Sequence, residues 1–177
     1  MNKIFIQYYK SPVGELILGS FKNKLCLCDW RYRKMRETID RKICNSLDAQ
    51  YFEQESSIGN NTIEMLKEYF QGVRKDFDLE MVLIGTEFQK LVWSHLLTIP
   101  YGNISTYQNI AKAVDKNAAV RAVAGAVGAN VFSIIIPCHR VIGSNGKLTG
   151  YAGGLAAKQK LINIEMVNVK PTHPKLF

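Results

Sequence analysis

Cys138 stands beside His139 and Arg140 in the stretch IIIPCHRVIG, which spans residues 134–143. A cysteine in an apolar run is usually an inert small hydrophobe, but here a proline and two basic residues indicate that the chain leaves its core. A thiol reacts as the thiolate, and a neighbouring basic group lowers the thiol pKa. Cys138 is therefore a candidate nucleophile, with a structural thiol and a metal ligand as the alternatives.

Metal binding is the weakest of these alternatives. Cys26 and Cys28 share one face of a strand, but no third and fourth ligand follow at a recognisable spacing. We therefore predict no metal site and no cofactor.

His139 and Glu165 are the candidate acid–base partners of the cysteine. Adjacent side chains of an extended chain point to opposite faces, so His139 would serve Cys138 across a turn or through a water. A histidine that acts as a base needs its other nitrogen held. Glu165, near the end of the predicted helix LAAKQKLINIE, is the candidate for that contact, and a solvated surface charge is the alternative.

The elements that position these residues fall into two halves. In the N-terminal half, the runs KIFIQYY, ELILGSF and LCLCDW, separated by the turns SPVG and FKNK, predict an antiparallel meander. The charged stretch RYRKMRETIDRKI is mobile or helical. A helix follows in NNTIEMLKEYFQGV, with Asn61 or Thr62 as its cap. The segment KDFDLEMVLIG is a linker, and we predict domains at 1–82 and 83–177.

The C-terminal half is predicted to be mainly helical, so the fold class is α/β in the α+β sense. GTEFQKLVWSHLLTI predicts a capped helix that stops at Pro100 and Gly102. ISTYQNIAKAV, starting at Ser105, and AAVRAVAGAVGAN predict a helix-turn-helix. The loop GSNGKLTGYAGG can then fold over a pocket.

The second helix of this pair has two predicted faces. The core stripe is Val120, Val123, Ala124 and Val127. The outer face is Ala118, Arg121, Ala122, Gly125 and Ala129. Reading bases in the major groove requires several polar side chains, and only Arg121 qualifies. Small residues instead favour a close approach to the DNA minor groove, with close helix packing inside the protein as an equal alternative.

The composition bounds the functional class. Lysine and arginine outnumber aspartate and glutamate by 23 to 15, a net charge of +8, which favours a polyanionic partner. The apolar runs are too short to span a bilayer, and the N-terminus has no signal-peptide core. We therefore predict a cytoplasmic protein without a membrane partner, whose four cysteines remain thiols.

Five segments together resemble the O6-alkylguanine-DNA alkyltransferase family, also called methylated-DNA-protein-cysteine methyltransferases. They are GTEFQKLVW, IPYGNISTYQNIA, AAVRAVAGAVGAN, IPCHRVI and GYAGGLAAKQKLI. The resemblance covers roughly residues 85–166, and IPCHRV is its most specific part. It implies an N-terminal domain like that of ribonuclease H. It also implies repair of double-stranded DNA by irreversible, single-turnover transfer of an alkyl group, chiefly methyl, from guanine O6 to a cysteine. O4-alkylthymine is a second candidate lesion.

The resemblance assigns roles by position. Cys138 is similar to the acceptor cysteine, His139 to the base that acts through a water, and Glu165 to the residue that orients it. Asn130 resembles the asparagine that braces the turn beneath the site, and Tyr107 the tyrosine that donates to guanine N3.

Further roles concern the damaged nucleotide. Arg121 resembles the arginine that fills the stack when the nucleotide is flipped out of the duplex, and the carbonyls of Cys138 and Val141 would accept from the exocyclic amine. Tyr151 and Ala152 would cover the O6 side. Ser133 stands where some members have proline, and we hypothesise that it admits alkyl groups larger than methyl.

Alternative functions remain open from the sequence. They are a protein that binds the lesion without removing it, a helix-turn-helix transcription regulator, and a cysteine hydrolase. We expect a monomer, and binding of several copies along DNA is an open alternative.

Overall fold

A four-stranded sheet organises the N-terminal half of the chain. Its strands are β1 (Asn2–Ser11), β2 (Gly14–Phe21), β3 (Lys24–Trp30) and β4 (Ala49–Glu53), in the spatial order β3-β2-β1-β4. The predicted antiparallel meander is confirmed for the first three strands. Strand β4 was not predicted and pairs parallel to β1. The computed structural model describes residues 1–114 and 119–169.

The charged stretch that follows β3 is a helix for most of its length. Helix α1 (Arg36–Leu47) connects β3 to β4, and Ile43 is its one fully buried side chain. A parallel strand such as β4 needs a crossover of this kind. The amphipathic pattern of α1 is weak, which is why the sequence left a mobile segment open as the alternative.

Helix α2 (Ser57–Phe70) begins several residues earlier than predicted. Its cap is Ser56, whose hydroxyl accepts from the backbone N–H of Gly59, so the prediction of Asn61 or Thr62 is wrong. Thr62 is fully buried inside the helix, and its hydroxyl donates to the carbonyl of Ile58 at 2.7 Å. The Ser56 hydroxyl satisfies one of the free N–H groups at the helix start.

The predicted linker crosses from the sheet to the helical half. Leu25 of β3 donates its backbone N–H to Glu80 and accepts from the N–H of Val82, at 2.9 and 2.8 Å. Helix α3 (Glu87–Leu96) then begins with a capping box between Thr86 and Gln89. Side chains from both halves form one continuous hydrophobic core.

The remaining elements carry the candidate site. They are β5 (Ser105–Thr106), α4 (Tyr107–Val114), α5 (Val120–Gly128), β6 (Val141–Ile142) and α6 (Leu155–Asn168). The two helices α4 and α5 pack against each other and against α3, which confirms the mainly helical C-terminal half. Thr106 caps α4 through the N–H of Asn109, one residue later than the predicted start at Ser105.

The buried face of α5 differs from the predicted stripe. Val123, Ala126 and Val127 are buried, whereas Val120 is 45% exposed. Trp93 of α3 donates its indole N–H to the carbonyl of Ala126 at 2.8 Å, on this buried face. Ala118 of the predicted outer face lies outside the described residues. None of the described helices is long and apolar enough to cross a bilayer.

Replacing Ser56 with alanine tests the cap assignment. We expect the Ser56→Ala variant to lose at least about 1 kcal/mol of unfolding free energy, because the N–H of Gly59 and the buried hydroxyl of Ser20 both lose their acceptor. The measurement is urea unfolding followed by circular dichroism. Asn61→Ala is the matched control, since Asn61 is exposed within the helix. An equal loss in the control would contradict the assignment.

Candidate active site

Cys138 begins one turn of 3₁₀ helix, Cys138–Arg140, rather than continuing a strand. Ile134 enters this region with φ of 73°, in the left-handed region that a β-branched residue rarely adopts. The N–H of Arg140 bonds to the carbonyl of Pro137 and closes the turn. Because the chain is not extended here, the side chains of Cys138 and His139 need not point to opposite faces.

Asn130 braces this turn from below. Its side-chain carbonyl accepts from the N–H of Phe132 at 2.8 Å. Its NH₂ group donates to the carbonyl of Ile136 at 2.9 Å and contacts Sγ of Cys138 at 3.2 Å. The structure thus places Asn130 where the resemblance predicts a bracing residue, in direct contact with the thiol.

A cavity of about 630 Å³ reaches Cys138, which is otherwise almost buried. One wall is α5, through Val120, Arg121, Ala124, Val127 and Gly128. The opposite wall is the glycine-rich loop, through Thr149, Gly150, Tyr151 and Ala152. Tyr107, Asn130 and Arg33 complete the lining. The predicted loop therefore does cover a pocket, and Tyr107, Arg121, Tyr151 and Ala152 all line it.

Behind the cysteine, His139 and Glu165 form a buried pair with Nε2 and Oε1 2.6 Å apart. The same carboxylate accepts from the Tyr69 hydroxyl at 2.7 Å and from the Gly102 N–H at 3.0 Å. Arg140 donates to both carboxylate oxygens, at 2.9 and 3.0 Å. Burial alone would raise the pKa of Glu165, but the bonds from His139 and Arg140 lower it from 4.5 to about 2.

These contacts define the proton positions of the pair. An ionised carboxylate only accepts, so Nε2 of His139 carries the proton and Nδ1 keeps its lone pair. Nδ1 has no hydrogen-bond partner among the described protein atoms. Burial lowers the pKa of His139, which outweighs the effect of Glu165 and keeps the ring neutral near pH 7. The neutral imidazole can therefore accept a proton at Nδ1.

The thiol is also neutral at rest. Burial raises the pKa of Cys138, and the contact with Asn130 opposes that rise without cancelling it. Reaction therefore requires removal of the thiol proton as the nucleophile attacks, and His139, the next residue in the chain, has a free basic nitrogen.

Lys158 is a site residue that the sequence analysis missed. It is fully buried in α6, and its ammonium donates to the carbonyls of Thr149 and Gly150 at 2.8 and 3.3 Å. Tyr107 donates to the same Thr149 carbonyl at 3.3 Å. Burial lowers the pKa of Lys158 to about 8. Its spacing of seven residues from Glu165, on the same helix face, was the available signal.

The outer face of α5 is open. Arg121, Ala122 and Gly125 are exposed, and a Cβ added at Gly125 or Gly128 would meet nothing within 4 Å. The alternative that small residues serve close packing inside the protein therefore does not hold at these glycines. Ala129, at the end of the helix, is half-buried.

Two residues predicted to contact the substrate, Val141 and Ser133, are buried. Val141 is fully buried in β6, beside β5, and its N–H bonds to the carbonyl of Cys138. Ser133 is also fully buried, and its hydroxyl donates to Asp29 at 3.0 Å. Neither residue is part of the cavity lining, and the hypothesis that Ser133 admits alkyl groups larger than methyl stays a prediction. Within 1–114 and 119–169, no three His, Cys, Asp or Glu residues are arranged to hold a metal.

Replacing Glu165 with glutamine tests the buried network. We expect Glu165→Gln to lose about 3–5 kcal/mol of stability at pH 7, because His139 and Arg140 lose a buried partner. The depressed pKa stabilises the folded state above pH 4.5, and this contribution is lost as pH falls toward 2. The measurement is urea unfolding at several pH values.

The control is Glu68→Gln, which removes a partly exposed pair with Arg74 and should change stability by less than about 1 kcal/mol. A deficit in Glu165→Gln that is the same at pH 3 as at pH 7 would show that the carboxylate charge is not responsible.

Comparison with known families covers nearly the whole chain. Residues 4–83 match the ribonuclease-like domain of 6-O-methylguanine DNA methyltransferase, and residues 87–167 match its DNA binding domain. A methylated-DNA–protein-cysteine methyltransferase of Methanosarcina barkeri is 39% identical over 94% of this chain and 100% of its own length. A Methanosarcina mazei protein of that name is 45% identical with the same coverage.

Solved structures agree with these matches. The O6-methylguanine methyltransferase of Mycobacterium tuberculosis superposes with a TM-score of 0.79 at 34% identity, covering 96% of both chains. The structure of the same organism's OGT in complex with DNA gives a TM-score of 0.79 at 35% identity, covering 93% of this chain and 94% of that one. With both of its halves matched, the chain belongs to the 6-O-methylguanine DNA methyltransferase family.

Proposed function

We propose that this protein repairs double-stranded DNA by moving an alkyl group, chiefly methyl, from guanine O6 to Sγ of Cys138. The observation that carries the proposal is a thiol at the end of a cavity between the open helix α5 and the glycine-rich loop, with a neutral basic nitrogen on the next residue. The names of the relatives and the DNA complex of the mycobacterial neighbour support it. O4-alkylthymine is a second candidate lesion for the same chemistry.

The proposed transfer balances without a cofactor. Nδ1 of His139 takes the thiol proton, directly or through one water, and Glu165 stabilises the imidazolium that forms. Sγ attacks the alkyl carbon, the bond from that carbon to O6 breaks, and its electron pair stays on guanine. Tyr107 donates toward N3 and offsets the negative charge on the leaving base. The product is a thioether, which has no carbonyl for water to attack, so each molecule reacts once.

The position of the thiol requires that the damaged nucleotide leave the duplex. Cys138 is only 6% exposed, so a base stacked in B-form DNA cannot reach it. The small residues of α5 would let its backbone approach the minor groove, and Arg121 at the mouth of the cavity would fill the gap left by the base. Tyr151 and Ala152 would then cover the O6 side of the flipped guanine.

The same geometry ranks the alternatives. A protein that only binds the lesion needs no nucleophile, whereas this chain has a thiol in contact with Asn130 and followed by a histidine with a free basic nitrogen. A transcription regulator needs base-reading side chains on α5, where the described exposed face offers one arginine.

We infer further that the chain is divided near residues 82 and 83, which is supported by the two family matches ending at 83 and starting at 87. We also propose that the protein acts as a monomer in the cytoplasm. A net charge of +8 favours binding to the polyanionic backbone of DNA.

The first test is the mass of the protein after reaction with one equivalent of duplex DNA that carries O6-methylguanine. We expect a gain of one CH₂ unit on the peptide that contains Cys138, together with loss of the lesion. The Cys138→Ser variant controls for alkylation at the other three thiols. Tight binding without a mass gain would make the protein a lesion sensor, contrary to the proposal.

Arg121→Ala tests nucleotide flipping. We expect about a 10- to 100-fold slower transfer from duplex DNA, since unpairing a base costs a few kcal/mol and loses its compensation. Transfer from free O6-benzylguanine, which needs no flipping, should be nearly unchanged. Lys67→Ala removes the same charge from the exposed side of α2. Equal slowing on both substrates would place Arg121 in the chemistry instead.

A further inference from the structure

Asp29, at the end of β3, is a fully buried carboxylate where the N-terminal sheet meets the segment that leads to Cys138. Its Oδ2 accepts from Arg33 and from Arg36, each at 2.9 Å. Its Oδ1 accepts from the Ser133 hydroxyl at 3.0 Å. The neighbouring backbone pairs as well, because Cys28 bonds to Val131 and Ser133. The charge therefore lies inside the junction of the two halves.

Arg33 differs from Arg36 in what else it holds. Besides Asp29, the guanidinium of Arg33 donates to the carbonyl of Asn130 at 2.8 Å and to the carbonyl of Gly128. Arg36 instead turns back to Asp40 in its own helix. One arginine of this buried cluster thus crosses to the site, and the other stays in the N-terminal half.

The two carbonyls that Arg33 contacts lie at the C-terminal end of α5. The last carbonyls of a helix have no partner within it, and a cation there also complements the helix dipole. A planar guanidinium spreads its N–H donors over separate nitrogens in a fixed fork and so reaches two carbonyls and a carboxylate at once, whereas a lysine donates from a single point. Arg33 therefore fixes the end of the helix that forms one wall of the cavity.

The contacts continue from that point to the nucleophile. Asn130, whose backbone Arg33 holds, uses its side chain to bond to Ile136 and to Sγ of Cys138. Arg33 also lines the cavity itself. A continuous series of hydrogen bonds and ion pairs thus runs from Asp29 through Arg33 and Asn130 to Cys138.

We propose that Arg33 is a positioning residue for alkyl transfer, through which the N-terminal sheet fixes Asn130, the end of α5 and the thiol. This inference rests on the proposed function of Cys138. It gives the N-terminal half a part in the reaction, although its own side chains supply no nucleophile or base. The charge of Arg33 also faces the thiol, where it opposes the upward effect of burial on the pKa of Cys138.

The test compares Arg33→Gln with Arg36→Gln in the full-length protein. Both changes remove one cation from the same carboxylate, but only the first releases the carbonyls of Gly128 and Asn130. We expect Arg33→Gln to slow single-turnover transfer at saturating methylated duplex by about 10- to 100-fold, because small displacements of reacting groups have effects of that size. Arg36→Gln should stay within about threefold of the wild type.

Two further measurements separate positioning from stability and from binding. Melting temperatures should fall similarly in both variants, and affinity for unmodified duplex should differ little between them. Transfer from free O6-benzylguanine should slow in Arg33→Gln as it does on DNA. Arg33→Lys, which keeps the charge but not the fork, should recover part of the rate.

Equal rates in the two glutamine variants, or a loss in Arg33→Gln confined to DNA affinity, would overturn the inference. If the wild type fails to transfer methyl to Cys138, the proposed function itself fails. A wild type that transfers, with Arg33→Gln reacting equally fast, refutes only the positioning role.

Discussion

The structure of the site depends on one buried carboxylate. Glu165 accepts from a histidine, an arginine, a tyrosine and a backbone N–H, contributed by the 3₁₀ turn, α2 and the loop before β5. Few buried charges are tolerated in proteins unless every oxygen is bonded. Because these partners come from distant parts of the chain, the ionised form of Glu165 determines how α6, the turn and α2 lie relative to one another. The orientation of the His139 imidazole follows from the same arrangement.

The state of the thiol follows from this arrangement. An exposed cysteine beside a cation would have a lowered pKa, so its thiolate would be populated at neutral pH and would react with any electrophile that reached it. Burial raises the pKa of Cys138 and lowers the pKa of His139, so the thiol and the neighbouring imidazole are both neutral at rest. The nucleophile is therefore generated only as a proton leaves, which confines the reaction to a substrate held in the cavity. A protein that reacts only once is consumed by any side reaction of its thiol, and a neutral thiol avoids such reactions.

The sequence predicted local patterns well and distant partnerships poorly. The meander, α3 and the paired helices follow from periodicity and turn residues, and the structure confirms them. Strand β4 joins the sheet through a parallel crossover that no short-range pattern encodes. The sequence could name Glu165 as a partner for His139, but not the bonds that make it ionised. The bond from Ser133 to Asp29 spans 104 positions, so no local pattern could reveal it.

The open face of α5 has a cost for the helix itself. Gly125 and Gly128 lie within nine residues, and each glycine lowers intrinsic helix propensity by about 1 kcal/mol relative to alanine. A peptide of this sequence would not hold a helix in water. Packing of Val123, Ala126 and Val127 against the core, with the bond from Trp93, must supply the missing stability. The two positions that leave this face of α5 open are therefore also the two that lower its intrinsic stability as a helix.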